Sequence, residues 1–122
     1  MKTVLLIEDN TCIRENVSEM LELGGYEAIT AQDGKVGLAL AKERRPDIIL
    51  CDILMPEANG YEVFNGLKDD SDTAGIPFVF ITASVGKKEI EMGLAMGAKG
   101  YIQKPFTGQE LYDTLEDCLT VK

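Results

Sequence analysis

The stretch Asp47-Ile48-Ile49-Leu50-Cys51-Asp52-Ile53-Leu54-Met55-Pro56 constrains the fold more than any other part of this chain. Its apolar run, Ile48 to Cys51, is continuous instead of alternating, which suits a short strand covered on both faces. The run then delivers a carboxylate, Asp52, just before Pro56 and Asn59-Gly60 open a loop. In an open parallel sheet, ligands sit beyond the carboxyl ends of the strands. Asp52 is therefore a candidate site residue, although a lone strand-end aspartate is also an ordinary way to begin a turn.

The rest of the chain repeats this plan. Val4-Leu5-Leu6-Ile7 is a second buried run and ends in Glu8-Asp9. Phe78-Val79-Phe80-Ile81 follows Pro77 and ends at Thr82-Ala83-Ser84, while the shorter Tyr101-Ile102-Gln103 runs into Lys104-Pro105. Glu27 to Ala31 alternates polar and apolar residues, as a half-exposed edge strand does. Helical periods separate these runs. Ile13, Val17, Met20 and Leu21 form the first, closed by Gly24-Gly25. Asp33 is the N-cap of a second carrying Val36, Leu40 and Ala41, stopped by Pro46. A third begins near Gly60 with Val63, Phe64 and Leu67 and gives way to the polar Asp69 to Gly75 loop. Ile90, Leu94 and Ala95 mark a fourth that Gly97 closes. Thr107-Gly108-Gln109-Glu110 is a capping box opening a fifth, with Leu111, Leu115, Cys118 and Leu119 on one face. Strands alternating with helices predict an α/β chain of three layers, a parallel sheet covered on both sides. Residues 1–122 are expected to form one domain, and right-handed crossovers put every strand's carboxyl end on one rim.

Composition removes several functions. A net charge of −9 leaves no basic stripe for nucleic acid or an anionic membrane. Lys2 to Ile7 has the outline of a signal start, but Glu8-Asp9 cuts the apolar part short, and no run approaches a membrane span. A cytoplasmic location is expected. The chain has no histidine, which excludes Ser/His and Cys/His dyads, histidine zinc sites and histidine pH switching. Cys12, Cys51 and Cys118 are odd in number and lack metal-ligand spacing, so they read as reduced packing thiols.

On the common rim the strand ends offer Glu8, Asp9, Asp52, Thr82 and Lys104. Two unit charges 4 Å apart repel by about 4 kcal/mol at an effective dielectric of 20. Three converging carboxylates therefore require a cation or shifted pKa values. An all-oxygen set on a loop rim suits magnesium, with Lys104 a fixed positive charge and Thr82 a hydroxyl donor. A carboxylate nucleophile, a magnesium ion, a lysine and a hydroxyl are the parts needed to accept a phosphoryl group.

Glu8-Asp9-Asn10, the Asp52 to Pro56 run, Asn59-Gly60, Thr82-Ala83, and Tyr101 ahead of Lys104-Pro105-Phe106 together resemble the response-regulator receiver domains of two-component phosphorelay signalling. The resemblance covers the whole chain. It implies the flavodoxin-like (βα)5 fold with strand order 2-1-3-4-5, the order that a chemotaxis member of that family illustrates. It implies Asp52 as phosphoacceptor. The magnesium ligands would be Glu8, Asp9, Asp52 and the backbone carbonyl of Leu54. Thr82 and Lys104 would sense the phosphate, Tyr101 would be a switch that turns with Thr82, and the peptide bond before Pro105 would be cis. A histidine kinase or histidine phosphotransfer protein would be the donor. A downstream protein would read the face of helix four, strand five and helix five, with Lys87, Lys88, Lys99 and Tyr112 exposed on it.

The apolar Leu54 cannot orient a hydrolytic water, so slow self-dephosphorylation is expected, and the small Ala83 would leave the phosphate open to a partner. Leu54 also argues against a phosphatase, which wants a second carboxylate there, so no turnover of outside substrates is expected. A nucleotide- or flavin-binding module would want a glycine loop after the first strand, where Glu8-Asp9-Asn10-Thr11 stands. Two alternatives stay open: a receiver-like interaction module that is never phosphorylated, or a fragment of a larger regulator. The Met1 start and Val121-Lys122 end lead us to expect a stand-alone protein.

Overall fold

The computed structural model describes residues 2–53, 60–82, 87–104 and 106–119. Strands and helices alternate along the chain: β1 Thr3–Ile7, α1 Thr11–Leu23, β2 Glu27–Ala31, α2 Gly34–Arg44 and β3 Ile48–Asp52 form the first half. The second half is α3 Gly60–Lys68, β4 Phe78–Thr82, α4 Lys87–Met96, β5 Gly100–Gln103 and α5 Gly108–Leu119. All strand pairs are parallel, in the order β2-β1-β3-β4-β5. The fold is flavodoxin-like, as the family resemblance implies, and the parallel sheet covered on both faces is what the strand pattern predicts. Register aligns Ile7 with Cys51, and Asp52 with Ile81, so the strands finish together on one rim.

Alternation along each strand divides the core in two. Leu5, Ile7, Ile49, Cys51, Phe78 and Phe80 face α2 and α3, where Ala41, Val63, Phe64 and Leu67 meet them. Val4, Leu6, Ile48, Leu50, Val79 and Ile81 face α1 and α5, where Val17, Leu21, Leu111 and Leu115 meet them. The continuous apolar strands are explained by this double cover.

Helix ends follow local chemistry. The Asp33 side chain accepts from the Val36 amide at 2.8 Å, so α2 has its expected cap. Arg45, in the left-handed region at φ 45°, ends α2 just before Pro46. Thr107 and Glu110 exchange side-chain-to-amide bonds of 3.1 and 3.0 Å, a reciprocal capping box at α5. Asn10 caps α1 by accepting from the Ile13 amide at 3.0 Å.

Three sequence expectations need correction. α2 lays its small residues, Gly34, Gly37 and Ala41, on the sheet and turns Val36 outward. A Cβ on Gly37 would lie 2.4 Å from Ile7, so the close approach selects glycine over a larger apolar residue. α4 behaves likewise: Gly93 packs against Phe80, while Leu94 and Ala95 are exposed. Tyr112 is half-buried instead of exposed. Its ring abuts Gly24 and its hydroxyl donates to the Met20 carbonyl at 2.7 Å, fastening α5 to α1. It belongs to that seam and not to an exposed readout surface.

Candidate functional site

The site is assembled by strand ends. β1 stops at Ile7, and the Glu8 amide still donates to the Ala31 carbonyl at 3.0 Å, carrying Glu8 into the sheet's shelter. β3 delivers Asp52, and Lys104 follows β5 directly. Glu8 and Asp52 are 1% and 6% exposed, whereas Asp9 faces solvent. One carboxylate oxygen from each of Glu8, Asp9 and Asp52 lies within 4.8 Å of the others. Lys104 is the cation among them: its Nζ is 2.7 Å from Glu8 Oε1 and 3.5 Å from Asp52 Oδ2.

Glu8 is held at every polar atom. Oε1 accepts from Lys104, Oε2 accepts from the Asn10 amide at 3.2 Å, and its carbonyl accepts from Arg14 Nη1 at 2.8 Å. Burial pushes its carboxyl above the ordinary 4.5, the Asp52 charge adds to that push, and the Lys104 and Asn10 hydrogen bonds oppose it. Cys51, next to Asp52, is buried: burial raises its thiol pKa well above the usual range, and its Sγ donates to the Asp52 carbonyl. The three cysteines are free, as expected, but Cys12 is exposed and so is not the packing thiol the sequence suggested.

The backbone beyond Asp52 is tightly placed. Gly60 opens α3 with its amide donating to the Ile53 carbonyl at 2.9 Å. A Cβ on Gly60 would stand 2.7 Å from the Asp52 carbonyl oxygen and 3.0 Å from the Ile53 Cα. Only glycine lets the helix start this close to the strand end.

Of the residues singled out from the sequence, Glu8, Asp9, Asp52 and Lys104 come together. Thr82 ends β4 on the same rim. Its side chain, Leu54, Ala83, Ser84 and Pro105 lie outside the described residues, as do the side chains of Lys87 and Lys88. Tyr101 stands on the edge strand β5, opposite Phe80, with 37% of its surface exposed. Lys99, between α4 and β5, is exposed. Arg14 and Gly60 were missed as site residues. Gly60 entered only as a turn signal, a helix start and part of the family resemblance, with no role at the site, and Arg14 reads as a routine surface arginine.

The donor set fits magnesium. Mg2+ binds oxygen at about 2.0–2.1 Å and so places two ligands at most about 4.2 Å apart. A cluster within 4.8 Å needs only a small side-chain adjustment to reach that. Carboxylates without nitrogen or sulfur donors are the ligands that this hard ion prefers.

The chain is similar to known proteins. Over 97% of its length the chain is 37% identical to the polar-differentiation response regulator DivK of Brucella anthropi, covering 96% of that protein. It is also 37% identical to the phosphate regulon transcriptional regulatory protein PhoB of Pseudomonas aeruginosa, of which it spans only 52%. The structure superposes on the chemotaxis protein CheY4 of Vibrio cholerae with a TM-score of 0.93 and 35% identity, covering 98% of this chain and 99% of that one. The family model described as the response regulator receiver domain matches residues 4–116, and the chain belongs to that family.

Proposed function

We propose that this receiver domain accepts a phosphoryl group on the Asp52 carboxylate, with one magnesium ion held by Glu8, Asp9, Asp52 and the Leu54 carbonyl. The observation that carries the reading is Lys104 Nζ standing between Glu8 and Asp52, at 2.7 and 3.5 Å, inside a three-carboxylate cluster. Bound there, magnesium supplies positive charge beside the transferring phosphoryl oxygens. An Asp52 oxygen attacks phosphorus in line, the new O–P bond forms, and the bond to the donor breaks with its electron pair leaving on the donor. Lys104 offers its ammonium to a phosphoryl oxygen, and Thr82 donates its hydroxyl to another. Glu8 orients Lys104, and its burial keeps bulk water away from one side of the acceptor.

The donor is a histidine kinase or a histidine phosphotransfer protein, and the location is cytoplasmic; among the described residues no helix is long and apolar enough to cross a membrane. Asp52 exchanges one negative charge for a group of up to −2 with three acceptor oxygens. Thr82 moves toward it and Tyr101 turns into the space released, biasing a two-state packing element. A downstream protein reads the change on α4, β5 and α5, where Met92, Leu94 and Tyr101 are exposed at 48%, 44% and 37%. With the apolar Leu54 two residues after Asp52 in the sequence, the acyl phosphate is long-lived, and the domain turns over no outside substrate.

The test is incubation with magnesium and acetyl phosphate, followed by intact mass measurement. One phosphoryl adduct, labile to hydroxylamine and absent from Asp52→Asn, is expected. An acid-stable, hydroxylamine-resistant adduct, or none, would count against the reading.

A further inference from the structure

We infer that Arg14 is a positioning residue of the acidic site, aiming Asp9 at the metal by clamping the backbone on both sides of it. The inference rests on the magnesium-dependent reading above and goes further, because Arg14 supplies no ligand and stands outside the carboxylate cluster.

Asp9 is the least supported of the three acids. It is solvent-exposed, and among the described residues its carboxylate has no hydrogen-bond partner. Glu8 and Asp52, by contrast, are buried and share Lys104. A carboxylate on an unrestrained loop would spend much of its time pointing away, and an ion would have to order it on binding. The restraint comes from α1. Arg14 Nη1 donates to the Glu8 carbonyl at 2.8 Å and makes a longer contact of 3.4 Å with the Asp9 carbonyl. Those oxygens belong to the two peptide planes that flank the Asp9 Cα. Their orientations are the φ and ψ of Asp9, so one nitrogen gripping both fixes the direction in which its Cβ points. The other terminal nitrogen reaches Thr11 Oγ1 at 3.5 Å, which seats the guanidinium plane at the head of the helix.

The placement also breaks a local rule. Arg14 is the fourth residue of α1, whose first turn contains no acidic side chain. A cation near a helix N-terminus opposes the helix dipole. Rule-breaking of this kind, in a half-buried side chain that bonds the backbone of two site residues, is where a functional compensation is expected. A lysine has one nitrogen on a flexible stem and lacks the planar fork that can hold both a carbonyl and the threonine.

Magnesium affinity measured by titration calorimetry tests this on the intact protein. Wild-type titration by itself reads the proposed function; the difference between wild type and variants reads Arg14. Arg14→Met, which keeps the aliphatic stem, is expected to weaken magnesium binding by about 10-fold or more, the scale for losing a partner that orients a ligand. Arg14→Lys should recover only part of that loss. At saturating magnesium, acetyl phosphate should label Arg14→Met at close to the wild-type rate, since the chemistry-bearing groups are untouched. Amide relaxation in metal-free protein should show greater mobility at Asp9 and Asn10 in Arg14→Met, with circular dichroism unchanged. Magnesium affinity within twofold of wild type, or full recovery in Arg14→Lys, would overturn the inference, the latter because charge alone would then suffice. Should wild type bind no magnesium, unchanged Asp9 and Asn10 mobility in the variants would still overturn the clamp. If Arg14→Met does not fold, Arg14→Lys carries the same comparisons.

Discussion

Replacing Lys104 by Met should destabilise the metal-free protein in a way that depends on pH. Lys104 Nζ lies 2.7 Å from an oxygen of Glu8, a residue only 1% exposed. Unit charges at 2.7 Å attract by about 6 kcal/mol at an effective dielectric of 20. Much of that is offset by the desolvation of Lys104, which the methionine no longer undergoes. The net loss then resembles that of one hydrogen bond to a charged group, about 2–3 kcal/mol near neutral pH. Its pH dependence comes from Glu8, whose folded-state pKa already lies above 4.5 because burial opposes its charge. A raised carboxyl pKa means that stability is greatest below the unfolded value and falls as pH rises through the folded one. Lys104 holds the folded value down, so removing Lys104 raises it further. The variant should thus approach wild type below pH 4.5, where Glu8 is protonated in both states, and diverge as the pH rises. Urea unfolding followed by circular dichroism, with a chelator present, reads the difference at each pH. Magnesium should reduce the gap by restoring a cation beside Glu8. A gap that is equal at all pH values, or below about 0.5 kcal/mol at pH 8, would refute the pairing argument; surface pairs give losses that small.

Other positions give simpler readouts. Gly60→Ala forces a methyl to within 2.7 Å of the Asp52 carbonyl and should cost about 1–3 kcal/mol in urea unfolding while slowing acetyl phosphate labelling. Tyr112→Phe removes the bond to Met20 and should lower stability by about 1 kcal/mol, leaving Asp52 labelling unchanged. Asp33→Ala deletes the α2 cap, with an expected loss of about 1 kcal/mol and no change in magnesium affinity.

Sequence alone determined what depends on neighbours along the chain. Continuous apolar runs specify doubly covered strands, and Asp33, Thr107 and Glu110 cap their helices because a cap needs partners only three residues away. The rim acids and Lys104 were legible too, since parallel crossovers return every strand end to one side. What the tertiary structure decided lies across the gaps between elements. Helical period marks Val36, Leu94 and Ala95 as inward candidates, yet α2 and α4 approach the sheet so closely that Gly37 and Gly93 occupy the contact and push those side chains out. Tyr112 could not be assigned from its own helix because its partners, Gly24 and Met20, belong to another. Distances of a few ångströms between chain-distant atoms, such as the 2.7 Å between Lys104 and Glu8, exist only after packing has chosen which helix face meets the sheet.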